Sequence, residues 1–190
     1  YLDDKWVIEN INRIFPKDNE YHWKVAFTGY LFYSSHLSKD LYLLLRDNSH
    51  YSKALETLFD DRNSHERLIQ HICVGYLYDL EDPDDDKSLI YQVLEKKNPD
   101  QLLKLVRFLW MLRDKLPAEQ KVKIKPLWGR LFGTLSKEQN NPIYEETLSH
   151  LSLWLVLIDT LDERTSEWLK LSARHVQPVE EIFFIEYLLK

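Results

Sequence analysis

Apolar side chains recur along this chain at helical rather than strand spacing. In residues 4–15 they fall at Trp6, Ile8, Ile11 and Ile14, and Pro16 with the polar run to Asn19 closes the segment. Residues 21–34 carry Trp23, Phe27, Tyr30 and Leu31 on one side, in steps of four, three and one that match 3.6 residues per turn. Gly29 lies inside this second helix, where it costs about 1 kcal/mol against alanine, so close approach of two helices is its expected reason. Leu41, Leu44 and Leu45 mark a third helix, ended by Asp47 and Asn48. Tyr51, Leu55, Leu58 and Phe59 mark a short fourth. Ser64 is placed to cap a fifth, which carries Leu68, Ile72, Gly75 and Tyr76.

Three later starts share one signature, Asp82-Pro83, Asn98-Pro99 and Asn141-Pro142. Each sets a capping side chain before a proline at the first helical position, where the missing N–H costs nothing. Gln101 also stands at the capping-box position after Asn98. Residues 102–112 are apolar nearly all round, which predicts a helix buried between others. Pro117 opens a helix reaching Leu127, Trp128, Leu131 and Phe132, and Pro126 should kink or split it. Asn141-Pro142 opens the most hydrophobic helix, to about Leu161. Segments 165–173 and 178–189 complete a set of about ten or eleven helices. Only 182–187 admits a strand, and Glu180-Glu181 before it favours a helix. The expected fold class is all-α, with paired antiparallel helices in a short right-handed superhelical solenoid, or an irregular helical bundle.

An internal period supports the solenoid. Ala26-Phe27-Thr28-Gly29-Tyr30-Leu31-Phe32-Tyr33 and Ile72-Cys73-Val74-Gly75-Tyr76-Leu77-Tyr78-Asp79 share a Gly-Tyr-Leu-aromatic core 46 residues apart. Segments 106–112 and 152–158 have a similar aromatic and apolar texture, again 46 apart. A period of this length built from helix pairs resembles HEAT-like or armadillo-like repeats over about residues 20–176. The resemblance implies binding of proteins, or in some cases nucleic acid, along a curved surface.

Composition narrows the partners. Apolar residues make up 44% of the 190, enough for a real core, and the net charge of −6 excludes a general polyanion binder. A single cysteine excludes an internal disulfide and a cysteine-based zinc site, and fits the cytoplasm or another reducing compartment. The longest apolar run, 151–158, is broken by Ser152 and is too short to span a bilayer, so no membrane partner is expected. With Tyr1 at its start and Met111 as its one methionine, the chain reads as one α-helical domain, 1–190, from a longer polypeptide.

No catalytic, cofactor-binding or metal-binding residue is assigned. His65-Glu66-Arg67-Leu68-Ile69 begins like a zinc-protease helix, but Ile69 stands where the second histidine ligand belongs. His65 then reads as a surface or capping residue, and Cys73 as a small buried hydrophobe. The acidic run Asp79, Glu81, Asp82, Asp84, Asp85, Asp86 lacks the glycine of a calcium loop and reads as a solvated link and helix start. Phosphate-binding loops need clustered glycines, and the four present, Gly29, Gly75, Gly129 and Gly133, form no such cluster.

One feature stands out. Lys104, Arg107, Arg113, Lys115, Lys121, Lys123, Lys125 and Arg130 are opposed within 104–130 only by Asp114 and Glu119, giving a net +6 against −12 for the remainder. This segment is the candidate interaction surface, for acidic groups on protein first and on nucleic acid second. The leading expectation is a non-catalytic helical scaffold that binds a protein partner or another domain of its own polypeptide. The alternatives are a nucleic-acid-associated helical module using 104–130, and a helical enzyme whose site joins separated acids and histidines such as His22, His71, His150 and His175.

Overall fold

The computed structural model describes residues 4–34, 37–57, 59, 62–158 and 161–176. Among these residues the backbone is helix and turn with no strand, so the fold is all-α. Its helices are α1 (Asp4–Glu9), α2 (Ile11–Ile14), α3 (Glu20–Tyr33), α4 (Lys39–Asp47), α5 (His50–Glu56), α6 (Arg62–Leu77), α7 (Leu89–Lys96), α8 (Pro99–Met111), α9 (Ala118–Lys121), α10 (Ile124–Leu135), α11 (Glu145–Ser152) and α12 (Glu163–Ala173). Short 3-10 segments cover Ser136–Glu138, Pro142–Tyr144 and Leu153–Leu157. The expectations for 178–189 lie outside the described residues.

The three Asx-Pro signatures give three different starts. Asn98 accepts the Gln101 amide on Oδ1 at 3.1 Å, and Pro99 opens the regular helix α8. Asn141 holds the Ile143 amide at 3.3 Å and opens a 3-10 turn that runs on into α11. The long helix expected from there is therefore 3-10, α and 3-10 in succession. Asp82 caps no helix. Its Oδ1 accepts from Asp84, two residues on, at 2.9 Å, and the chain turns until Leu89.

Other boundaries move for equally local reasons. Asn10 divides the first predicted helix into α1 and α2. Ser64 lies inside α6, fully buried, rather than at its cap. Pro126 kinks nothing. It is the third residue of α10, in the first turn, where backbone N–H groups have no intrahelical acceptor to lose. The split from α9 falls before it, at Val122 and Lys123.

The chain divides into two compact units, Tyr1–Leu80 and Glu81–Lys190. In the first, α3 packs on α6, α5 on α4 and α6, and α1 on α4. Its core is aromatic. Trp23, Phe27, Tyr42 and Tyr51 are fully buried; Phe27 meets Phe15 and Tyr51 edge-on and stacks on Trp23. Residue 75 must be glycine because the Tyr42 ring lies across it. The end of α6 closes in a Schellman motif, with Leu80 N–H on Gly75 O, Asp79 N–H on Tyr76 O and Asp79 at φ 59°. Arg46 of α4 donates to Leu80 O at 2.6 Å and anchors that turn.

In the second unit, α7 packs on α8 and α10, α8 on α11, and α12 on both α10 and α11. Helices adjacent in space are often not adjacent in sequence. Trp128 and Trp154 are buried and meet edge-on, and Trp168 leans on Trp128 and Phe132. The buried Trp154 indole donates to Val106 O of α8 at 3.0 Å, so its polar atom is satisfied inside the core. The two pairs of segments set 46 residues apart in the sequence differ in how alike their structures are. Trp23, Phe27 and Leu31 of α3 and Ile69, Cys73 and Leu77 of α6 are buried in matching register. Segment 106–112, by contrast, is mostly α-helix, where 153–157 is 3-10.

Candidate interaction surface

The basic segment is spread over three helices and the turns between them, and most of its charge is met within its own unit. Lys104 pairs with Asp100 one turn earlier on α8. Arg107 bridges α8 to α11, donating from Nε to His150 Nε2 at 3.1 Å and pairing with Glu146. Arg113 stacks 4.2 Å over the Trp110 ring and faces Asp114 at 3.4 Å. Lys125 at the start of α10 binds Asp162 at 2.6 Å. Arg130 reaches Asp84 at 3.4 Å and Glu95 at 3.9 Å, so one arm of the basic segment meets the acidic run. Lys115 is exposed, whereas Lys121, Lys123 and Lys125, expected at the surface, are half-buried. Three of these eight cations, Arg107, Lys125 and Arg130, reach carboxylates on other elements of the unit.

Asp162 is built into such a junction. It accepts Thr165 N–H at 2.8 Å, and Thr165 Oγ1 accepts Asp162 N–H at 2.7 Å, a reciprocal cap on α12. The Lys125 ammonium, and after it the Thr165 bonds, hold this carboxyl well below the usual carboxylate range.

Glu81, at the edge of the acidic run, is buried. Its Oε2 accepts Ser88 Oγ–H at 2.6 Å, Leu89 N–H at 2.5 Å and Ile90 N–H at 3.3 Å. A carboxylate seven to nine residues upstream thus caps α7, satisfying orphan donors at the positive end of the helix dipole. Asp85 accepts Lys87 N–H at 3.0 Å in the same loop. The run serves as local turn and cap chemistry.

Among the described residues the histidines form no single cluster. His50 and His71 are buried in the first unit; His65 Nε2 accepts Phe59 N–H at 3.3 Å and holds the approach to α6; His150 serves the Arg107 bridge; His22 is exposed. Burial pushes the Cys73 thiol far up, out of reach of nucleophilic chemistry at neutral pH. Among the described residues, no three His, Cys, Asp or Glu side chains gather as a metal-holding group. No described helix is long and apolar enough to cross a membrane.

The surface missed from the sequence is the outward side of α3. Tyr21, Val25 and Phe32 are 72%, 57% and 46% exposed, and Gly29, between them, has nothing within 4 Å of where a Cβ would stand. The spacing 21, 25, 29, 32 puts the four on one face, opposite the buried Trp23, Phe27 and Leu31. A helix apolar on both faces ordinarily lies between two others. The signal was legible: the same heptad steps that revealed the inner face repeat on the outer one.

No protein-family model, no curated protein and no solved structure matches this chain.

Proposed function

We propose that the chain is a non-catalytic helical scaffold, and that it binds a protein partner through the outward face of α3. The observation that carries this is the uncovered row Tyr21, Val25, Gly29 and Phe32 on a helix whose other side is already packed. The partner that fits is an apolar helix face. The row itself is uncharged, and the missing side chain at Gly29 leaves a groove into which a ridge of a second helix can settle. Glu20 and Lys24 flank it with opposite charges that orient the approach. A HEAT-like arrangement is the finer reading of the first unit, supported by the matched buried register of α3 and α6. A single buried thiol accords with a reducing, cytoplasmic setting.

A photoreactive residue at position 25 tests the proposal in the full-length protein in its native extract. Discrete protein adducts are expected there and not from the exposed position 137, and Tyr21→Glu should abolish them at every salt concentration. A band at twice the chain's mass would identify a second copy as the partner. Absence of adducts at 25 would sink the reading. The second reading, nucleic acid on the basic segment, rests on exposed Lys115 and half-exposed Lys121. It requires tight DNA or RNA binding with a steep salt slope.

A further inference from the structure

Two of the seven histidines, His50 and His71, lie in the core of the first unit at 0% and 6% exposure. His50 Nδ1 accepts the Trp23 indole N–H at 2.9 Å. Its proton therefore sits on Nε2, which has no hydrogen-bond partner among the described residues. A second proton would have to go on Nδ1, and two N–H donors would then face each other across the same gap. His71 Nδ1 lies 3.0 Å from the Tyr51 hydroxyl, which lies 2.9 Å from the Tyr30 hydroxyl. That chain can keep its hydrogen bonds on protonation by reversing its hydroxyls, so what opposes a charge on His71 is its burial and the nearby Arg67. The Trp23–His50 bond has no such reversal, because an indole only donates.

α5 carries both His50 and Tyr51, so both networks converge on one seven-residue helix packed against α4 and α6. The charges that weigh on the two rings are all cations. Lys17, before α3, and Lys53, on α5, act on His50; Arg67, on α6, acts on His71. Lys53 also sits 4.4 Å over the Trp23 ring. α4 contributes Tyr42 against Tyr51. The carboxylates of these elements, Glu20, Asp40, Asp47, Glu56 and Glu66, are exposed.

We propose that α5 is an acid-released latch: as the medium turns acidic, protonation of His50, followed by His71, detaches α5 from α3 and α6 and opens the core of the first unit. The proposal is independent of the partner assigned to α3. Burial first, then the neighbouring cations, lower both rings from the ordinary 6.5 to about 4. The open state therefore binds more protons than the closed one between those values. Closure is at full strength above pH 6.5 and weakens as pH falls towards 4.

Hydrogen exchange of the full chain, corrected for the intrinsic pH dependence of amide exchange, reads the opening of α5 directly. From pH 6.5 to 4.5 the opening constant of α5 is expected to rise on the order of a thousandfold with both histidines, and on the order of fortyfold with one. His50→Gln and His71→Gln, which keep an acceptor but do not titrate, should each reduce the rise to the single-site value. α8 and α11, with no buried histidine on either, should keep their protection over this range. If His50→Gln fails to fold, histidine NMR titration of the unaltered protein replaces it. Both rings should stay neutral at pH 5 while α5 remains protected. A flat pH profile for α5, simultaneous loss of α8 and α11, or a ring that titrates near 6.5 in the closed state would overturn the proposal.

Discussion

The Tyr42 hydroxyl lies 2.7 Å from where a Cβ on Gly75 would stand, and Cζ of the same ring lies at 2.8 Å. Tyr42 is fully buried and cannot swing aside. The α4 ring is thus seated directly on the α6 backbone, and glycine is the one residue that lets it.

Gly29 lies inside α3 and Gly75 inside α6, so the same substitution tests two environments. Gly75→Ala is expected to destabilise the protein by about 1–3 kcal/mol through overpacking, despite alanine's better helix propensity. Gly29→Ala meets open space and should stabilise α3 by up to about 1 kcal/mol. Chemical denaturation of the two variants should give opposite signs.

Glu81 should behave as a remote cap rather than a surface acid. Glu81→Ala strands the Ser88 hydroxyl and the Leu89 and Ile90 amides, at a cost on the order of 2–3 kcal/mol. Glu81→Gln retains an acceptor oxygen and should lose less. Exchange rates of the Leu89 and Ile90 amides provide the local readout. Equal, small effects for both variants would show that the cap is dispensable.

The Lys125–Asp162 pair makes the start of α12 acid-sensitive. Asp162 has its carboxyl held below the ordinary 3.8, so the cap's contribution is present above that value and lost as pH falls below it. Amide exchange in the first turn of α12 should rise on acidification below about pH 4. Asp162→Asn keeps the acceptor for Thr165 and should remove that pH dependence. Charge reversal of Lys125 should loosen the same turn at neutral pH, whereas reversal of exposed Lys115 should leave it unchanged.

The all-α class, the inner face of α3, the helix at Asn98-Pro99 and the burial of Cys73 were determined by the sequence alone. Each depends on near neighbours: apolar spacing of three and four, a capping side chain three residues before its amide, a small hydrophobe on an apolar face. Asp82-Pro83 carries the same local signature as Asn98-Pro99, yet it makes a turn because the buried Glu81 carboxylate caps the chain further on, at Leu89. Which of two like signals prevails is set by burial, which local spacing does not contain.

The basic segment shows the other limit. Its composition was plain in the chain, but the partners of Arg107 at Glu146, Lys125 at Asp162 and Arg130 at Asp84 lie 37 to 46 residues away in sequence. Only the packing of α8 on α11, and of α10 on α12 and α7, decides that these charges meet one another. The same holds for Trp23 and His50, 27 residues apart. Periodicity places Trp23 inside and says nothing of His50; the tertiary fold alone joins an indole N–H to an imidazole nitrogen and thereby sets which protonation state the core can hold.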